Sequence, residues 1–257
     1  MADKRLIKTF VEQLRRNPQA PAVLSEGDSW FSYPFHRNTI DHLESARMCL
    51  LRLERNGDEL LQILSGKQKH KLRKTLARYP IDALLFSGGG NDLLGPDLAS
   101  LLKSKSGNLR GAELIRKGRL NRRMRQLRDA FLDLIAMRDD HCPACHIFVH
   151  GYDYPSASGK PTRKFGLVLS GPWILPAFQQ HQILDPQDQT DVLESLIDRF
   201  NRTLASLAIT ARGFVHIDVR NTLTARQWKD EVHPTSGGFA TVANHFRIAL
   251  KREFPGL

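Results

Sequence analysis

Five short apolar runs, each closing on small or turn-forming residues, constrain this chain more than any other feature. They are Ala20–Ser25 before Gly27-Asp28, Met48–Leu53 before Asn56-Gly57, Asp82–Phe86 before Ser87-Gly-Gly-Gly-Asn91, His146–His150 before Gly151, and Gly213–Asp218. Runs of this length between turn residues predict buried strands. Helical patterns separate them. Asn38–Ala46 and Gln68–Arg78 predict helices, and Leu120, Met124, Leu127, Phe131 and Leu134 recur at the spacing of one apolar stripe on a long helix. Val192, Leu193, Leu196, Ile197, Phe200, Leu204 and Leu207 make a second stripe, and Gly237–Arg252 predicts a closing helix. Strands alternating with helices imply a mostly parallel sheet covered on both faces, an α/β fold. Ligands of such sheets bind beyond the carboxyl ends of the strands, so the exit loops are where chemistry is expected.

Those exits carry reactive residue types. Gly27-Asp28-Ser29-Trp30 leaves the first strand, Gly57 follows the second, Gly89-Gly90-Asn91-Asp92 leaves the third, and Asp230-Glu231-Val232-His233 stands near the C-terminus. A serine hydroxyl is a weak nucleophile until a base takes its proton. A histidine can do so when a carboxylate fixes its tautomer and stabilises the imidazolium. A tetrahedral intermediate also needs hydrogen-bond donors aimed at its oxyanion. Ser29 suits the nucleophile, His233 the base, and Asp230 the carboxylate, three residues away on one turn. Asn91 offers a side-chain amide and Gly57 an unobstructed backbone N–H.

In these same residues the chain resembles the SGNH (GDSL) hydrolases. Gly27-Asp28-Ser29 is similar to their first block, Gly57 to the second-block glycine, Gly89-Gly90-Asn91-Asp92 to the G-x-N-D third block, and Asp230-x-x-His233 to the D-x-x-H fifth block. Gly66 competes with Gly57 for the second block but opens a basic helical stretch. The resemblance implies a flavodoxin-like three-layer α/β/α sandwich around a five-stranded sheet. It also implies ester hydrolysis through an acyl-enzyme, without metal or organic cofactor. The implied oxyanion hole combines the backbone N–H groups of Ser29 and Gly57 with the Asn91 side chain. Trp30 departs from the leucine common after the serine. No G-x-S-x-G surrounds Ser29, so an α/β-hydrolase nucleophile elbow is not supported.

Other residues have a structural reading beside a functional one. Trp30, Phe31, Tyr33 and Phe35 cluster after Ser29; core packing suits most of them, and Trp30 is also a substrate-wall candidate. Tyr152 and Asp153 leave the fourth strand and are candidates for substrate contact or for a turn built on Asp153. Trp173 is a candidate lid residue or a loop anchor. Asp218 competes with Asp230 as the acid, and His216 reads as packed within its strand. His141, Cys142, Cys145 and His146 are too close in sequence to converge on one tetrahedral zinc, so Cys142 and Cys145 read as structural, with reversible oxidation open to them. Cys49 reads as a buried thiol.

Composition bounds the rest. With 257 residues, 41% of them hydrophobic, the chain suits one folded domain over 1–257 with an irregular, Pro-, Gly- and Gln-rich insertion at about 156–189. No run approaches the ~18 apolar residues of a membrane span. No apolar signal region follows the first residues, and three cysteines do not make a disulfide framework, so a cytoplasmic setting is the expectation. The net charge of +11 is concentrated: Gly66–Arg128 holds 16 Lys/Arg against four Asp/Glu, whereas the remainder holds 22 against 23. A solvated helical face explains this first, steering of an anionic substrate or surface second, and nucleic acid third, because no nucleic-acid-binding signature accompanies it. The expected partner is a small-molecule or lipid ester. Thioester hydrolysis or carbohydrate-ester deacetylation by the same residues is the alternative chemistry. A non-catalytic anion-binding protein on the same fold is the alternative class.

Overall fold

A computed structural model describes residues 2–45 and 47–257. In chain order, helix α1 (Ala2–Arg16) leads to strand β1 (Ala22–Gly27), the short helix α2 (Thr39–Leu43) and strand β2 (Cys49–Arg52). Helices α3 (Leu60–Ile63) and α4 (Gly66–Arg78) precede strand β3 (Ala83–Ser87). Then come α5 (Gly90–Leu94), α6 (Leu98–Leu101), the long α7 (Lys117–His141) and strand β4 (His146–His150). A hairpin of β5 (Thr162–Lys164) and β6 (Leu167–Ser170) is followed by α8 (Leu175–Gln180), α9 (Pro186–Thr210), β7 (Phe214–Ile217) and α10 (Ser236–Glu253).

The central sheet has the order β2-β1-β3-β4-β7, with every pair parallel. The chain steps from β1 to β2 on one side, then crosses to β3 on the other. That reversal leaves a crevice between the carboxyl ends of β1 and β3, where an open α/β sheet binds its ligand. Helices α3, α4, α7 and α9 pack together as one group, while α10 packs with α2. The strands are buried because both faces are covered: Val23, Leu24, Leu84, Leu85, Phe86, Ile147, Phe148 and Val149 have essentially no exposed surface. This explains their continuous apolar runs in place of alternation.

The five predicted strands are all present: the fourth matches at both ends, and the other four differ by one or two residues at their ends. Asn38 caps α2 instead of lying within it, accepting hydrogen bonds from the Ile40 and Asp41 amides. The predicted end of that helix, Ala46, falls outside the described residues. Helix α1 is not among the predicted helices, although Leu6, Ile7, Phe10 and Leu14 recur at helical spacing.

The segment 156–189 departs from the irregular insertion expected. It holds the β5–β6 hairpin, α8 and the first turn of α9. Phe165 and Gly166 both take positive φ (49° and 82°), as a two-residue hairpin turn of the type I′ kind requires. Phe-Gly lacks the usual Asn-Gly signature, and Leu167-Val168-Leu169 does not alternate, so neither hairpin signal was there to read.

Candidate active site

The first strand exit is shaped by a close approach of two backbones. Gly27 pairs with Ser87 in register, and a Cβ on Gly27 would meet the Ser87 carbonyl oxygen at 2.4 Å. Only glycine fits there. The chain then turns sharply: the Asp28 carbonyl accepts from the amides of Phe31 (3.1 Å) and Ser32 (3.0 Å), which puts Ser29 on a tight turn at the crevice. Helix α2 begins only ten residues later, so Ser29 is not carried on a strand-to-helix junction.

Three side chains meet at this point from opposite ends of the sequence. His233 Nε2 lies 2.9 Å from Ser29 Oγ, and His233 Nδ1 lies 3.0 Å from both carboxylate oxygens of Asp230. The carboxylate can only accept, so Nδ1 carries the proton and Nε2 is left to accept from the serine hydroxyl. Asp230 is fully committed: Oδ1 also accepts from the amides of Val232 (3.0 Å) and His233 (2.8 Å), and Oδ2 from the Thr162 hydroxyl (2.5 Å). Burial works to raise the Asp230 pKa, but the hydrogen bonds from His233 and Thr162 outweigh it and hold the carboxyl below its ordinary value. The Tyr33 ring lies 4.6 Å from the His233 ring, and its hydroxyl reaches Asp230 at 3.5 Å. Burial pushes the Tyr33 phenol up to about 12, so it stays a donor. The rival acid, Asp218, is exposed and paired with Arg220 at 2.6 Å, away from His233. His216 is packed and bonded to Asn201 (3.0 Å).

Ser29 and Asn91 both line one cleft that opens to solvent. Its walls are mainly apolar, with Trp30, Trp173, Trp228 and Leu94 among them. Asn91 enters it from α5, with Nδ2 donating one hydrogen bond to the Asp58 carbonyl (2.9 Å). Gly57 does not line the cleft. It occupies the turn just before Asp58 with φ +84°, and is joined to the cleft through that Asn91 contact. Among the described residues, the backbone N–H groups of Ser29 and Gly57 have no hydrogen-bond partner. Gly66 begins α4 and is exposed.

The other named candidates separate cleanly. Trp30 is both wall and core: it stacks on His150 at 5.1 Å and its Nε1 donates to the Val232 carbonyl at 3.0 Å, tying the Ser29 turn to the Asp230–His233 turn. Trp173 meets the His233 ring edge-on at 5.2 Å. Tyr152 lines the cleft, but its hydroxyl donates to Asp28 Oδ2 (2.5 Å). Asp153 also lines the cleft, but its carboxylate is taken up by the amides of Tyr154, Asn221, Thr222 and Leu223 and builds a turn. Cys142 and Cys145 lie between α7 and the start of β4, at the end of the sheet opposite the crevice, and all three cysteines are free thiols.

Several residues that shape the site carry no sequence signal. Glu231, buried between Asp230 and His233, accepts from the amides of Gly159 (3.0 Å), Trp173 (2.6 Å), Ile174 (2.7 Å) and Leu175 (3.0 Å). Thr162, Tyr33 and Trp228 are equally silent. Beneath Ser29, Asp28, Ser87, His150 and Tyr152 form one buried polar network, with Ser87 Oγ 2.7 Å from Asp28 and 2.8 Å from His150 Nε2. Burial drives the His150 pKa down to about 4, so the ring is neutral at neutral pH.

Sheet order and layering match the α/β/α fold of solved SGNH hydrolases. Solved structures of that kind share it across almost the whole chain. A lipase, Lip_vut3, from a goat rumen metagenome is 16% identical, with a TM-score of 0.56 over 90% of this chain and 97% of its own. A candidate SGNH hydrolase from Slackia heliotrinireducens is 14% identical, with a TM-score of 0.51 over 90% of this chain and 100% of its own. A carbohydrate esterase of family 3 from Talaromyces cellulolyticus is 10% identical, with a TM-score of 0.54 over 92% of this chain and 99% of its own. No family model and no curated protein sequence matches the chain.

Proposed function

We propose that this protein is a serine hydrolase that cleaves carboxylic esters bearing an apolar acyl group. The observation that carries this reading is the continuous hydrogen-bonded line Asp230–His233–Ser29, opening into an apolar cleft that Asn91 also lines. Similarity of fold to a lipase and to a carbohydrate esterase is consistent with it, although fold alone does not select a chemistry.

In this mechanism Ser29 Oγ attacks the ester carbonyl carbon while His233 Nε2 takes the hydroxyl proton. Asp230 holds the imidazole in the required tautomer and stabilises the imidazolium. The negative charge that develops on the former carbonyl oxygen is met by the free N–H of Ser29 and by the second N–H of Asn91. As the carbon–oxygen bond to the alcohol breaks, His233 returns the proton to the leaving oxygen. Water then enters, gives its proton to His233 and attacks the acyl-enzyme; collapse of the second tetrahedral intermediate frees the acid and restores the Ser29 hydroxyl. Trp30, Trp173 and Trp228 form the wall for the acyl group.

The test is hydrolysis of nitrophenyl esters of increasing acyl length by wild type and by Ser29→Ala. Loss of a triad member removes about three or more orders of magnitude in kcat. Equal rates in the two proteins would sink the proposal. A Ser29-dependent rate that peaks at acetate would instead favour the deacetylase reading over one that takes longer acyl chains.

A further inference from the structure

The β5–β6 hairpin is a two-stranded ribbon outside the main sheet, and its tip is the most exposed apolar feature of the described surface. Phe165 is 94% exposed, Leu167 70%, Val168 51% and Leu169 48%. Four consecutive or nearly consecutive large apolar residues in water are an interaction surface, not scattered exposure. The same segment is basic: Lys160, Arg163 and Lys164 are exposed, and no acidic residue occurs between Asp153 and Asp185. Lys164 Nζ lies 5.6 Å from the ring centres of both Phe165 and Phe35, so cation and apolar surface are presented together.

The base of the hairpin is fixed to the site. Thr162, the first residue of β5, donates to Asp230, and Trp173, just beyond β6, packs against His233. Whatever receives the tip is therefore held beside the cleft mouth.

We propose that this hairpin is an anchor that inserts its apolar tip into the surface of an anionic lipid bilayer, with its lysines at the headgroups. Charge decides between occupants. A second copy would bring another basic tip, or another chain of net charge +11, against this one. An anionic lipid surface offers acyl chains for Phe165, Leu167, Val168 and Leu169 and phosphates for Lys160 and Lys164, the combination that interfacial segments use. Binding of this kind is independent of whether Ser29 is a nucleophile.

The experiment is co-sedimentation of the full chain with phosphatidylcholine vesicles, with and without phosphatidylglycerol. Wild type is expected to sediment with the anionic vesicles and far less with pure phosphatidylcholine. The double variant F165S/L167S keeps the net charge and is expected to bind about tenfold or more weakly. K160Q/K164Q is expected to lose a similar factor at low salt and little at high salt. Circular dichroism equal to wild type confirms that the variants are folded, which exposed positions favour. Three results would overturn the anchor. One is no sedimentation of wild type with anionic vesicles. Another is undiminished binding of F165S/L167S, which would assign the attraction to the basic helices. The third is a dimer in solution that F165S/L167S dissociates, which would make the tip a self-association surface.

Discussion

Each residue of the Asp230-Glu231-Val232-His233 turn has a separate task. His233 meets Ser29, Asp230 holds His233, the Glu231 carboxylate gathers four amides, and the Val232 carbonyl receives Trp30. Asp230→Asn would leave an amide that can present N–H toward Nδ1, favouring the wrong tautomer; kcat is expected to fall by about four orders of magnitude, with KM little changed. Thr162→Val removes one donor from the same carboxylate and is expected to cost about tenfold in kcat, read from the same ester assay. Ser29, Asn91, Asp230 and His233 were legible because the chemistry demands those atom types at those strand exits. Thr162 and Tyr33 were not, because one hydroxyl among many becomes a partner of Asp230 only through the tertiary fold. Glu26 is a residue of another kind. It is fully buried, its Oε2 has no partner among the described residues, and burial raises its carboxyl to about 8 from 4.5. The folded protein keeps this proton through a range in which the unfolded chain releases it. The contribution to stability therefore falls as pH rises from about 4.5 through about 8, by up to ~1.4 kcal/mol per unit. Glu26→Gln cannot ionise, so its stability advantage over wild type in urea unfolding is expected to be larger at pH 8 than at pH 5. An equal difference at both pH values would mean that Glu26 is charged in the fold.

At the scale of elements, the sheet and its main helices could be read because their signals are local. Buried parallel strands are continuous apolar runs, and α7 and α9, helices of 25 residues each, announce themselves by the stripes Leu120–Leu134 and Val192–Leu207. The 156–175 segment could not be read, because what orders it lies elsewhere in the chain: the Glu231 carboxylate, whose four acceptor contacts reach back 56 to 72 residues. Glu231→Ala leaves those amides without their acceptor, and buried donors left unmade cost ~1–3 kcal/mol each when no water replaces the partner. The expected outcome is local, not global. Hydrogen exchange at Trp173, Ile174 and Leu175 should accelerate by at least about tenfold while the amides of β1 and β3 keep their protection. Ester turnover should drop as well, since Trp173 packs on His233 and Thr162 on Asp230. Protected Trp173–Leu175 amides in the variant would show that the segment is held by its own hairpin and not by Glu231.

For the whole molecule, the question is how a chain of net charge +11 surrounds a cleft whose walls are largely neutral. The excess cations sit outside it, on α4 and α7: Lys67, Lys74, Lys117, Arg119, Arg122, Arg125 and Arg128 are exposed, on two helices that pack against each other. One cation bridges from this face to the site. Arg123 of α7 donates to the Asp92 carbonyl at 2.7 Å and to Asp97 at 2.6 Å, directly beside Asn91. The concentration of charge in 66–128 was plain in the sequence, but its side of the fold was not, because α4 and α7 are brought together only by the crossings between β2, β3 and β4. Charges distributed this way act at a distance and are screened by salt, with a Debye length of about 10 Å at 0.1 M. Under the proposed function, such charges are expected to raise the encounter rate of an anionic ester without altering the chemistry at Ser29. Two esters of one acyl group, differing only in a neutral or an anionic alcohol portion, therefore isolate the field. At low ionic strength kcat/KM for the anionic ester is expected to exceed that of the neutral one by several-fold, and the gap should close as salt is added, with kcat unchanged for both. Charge reversal at exposed Arg122 and Arg125 should narrow the low-salt gap without moving the neutral ester. A salt response shared equally by both esters would mean that the basic face is solvated surface and that the cleft alone selects what reaches Ser29.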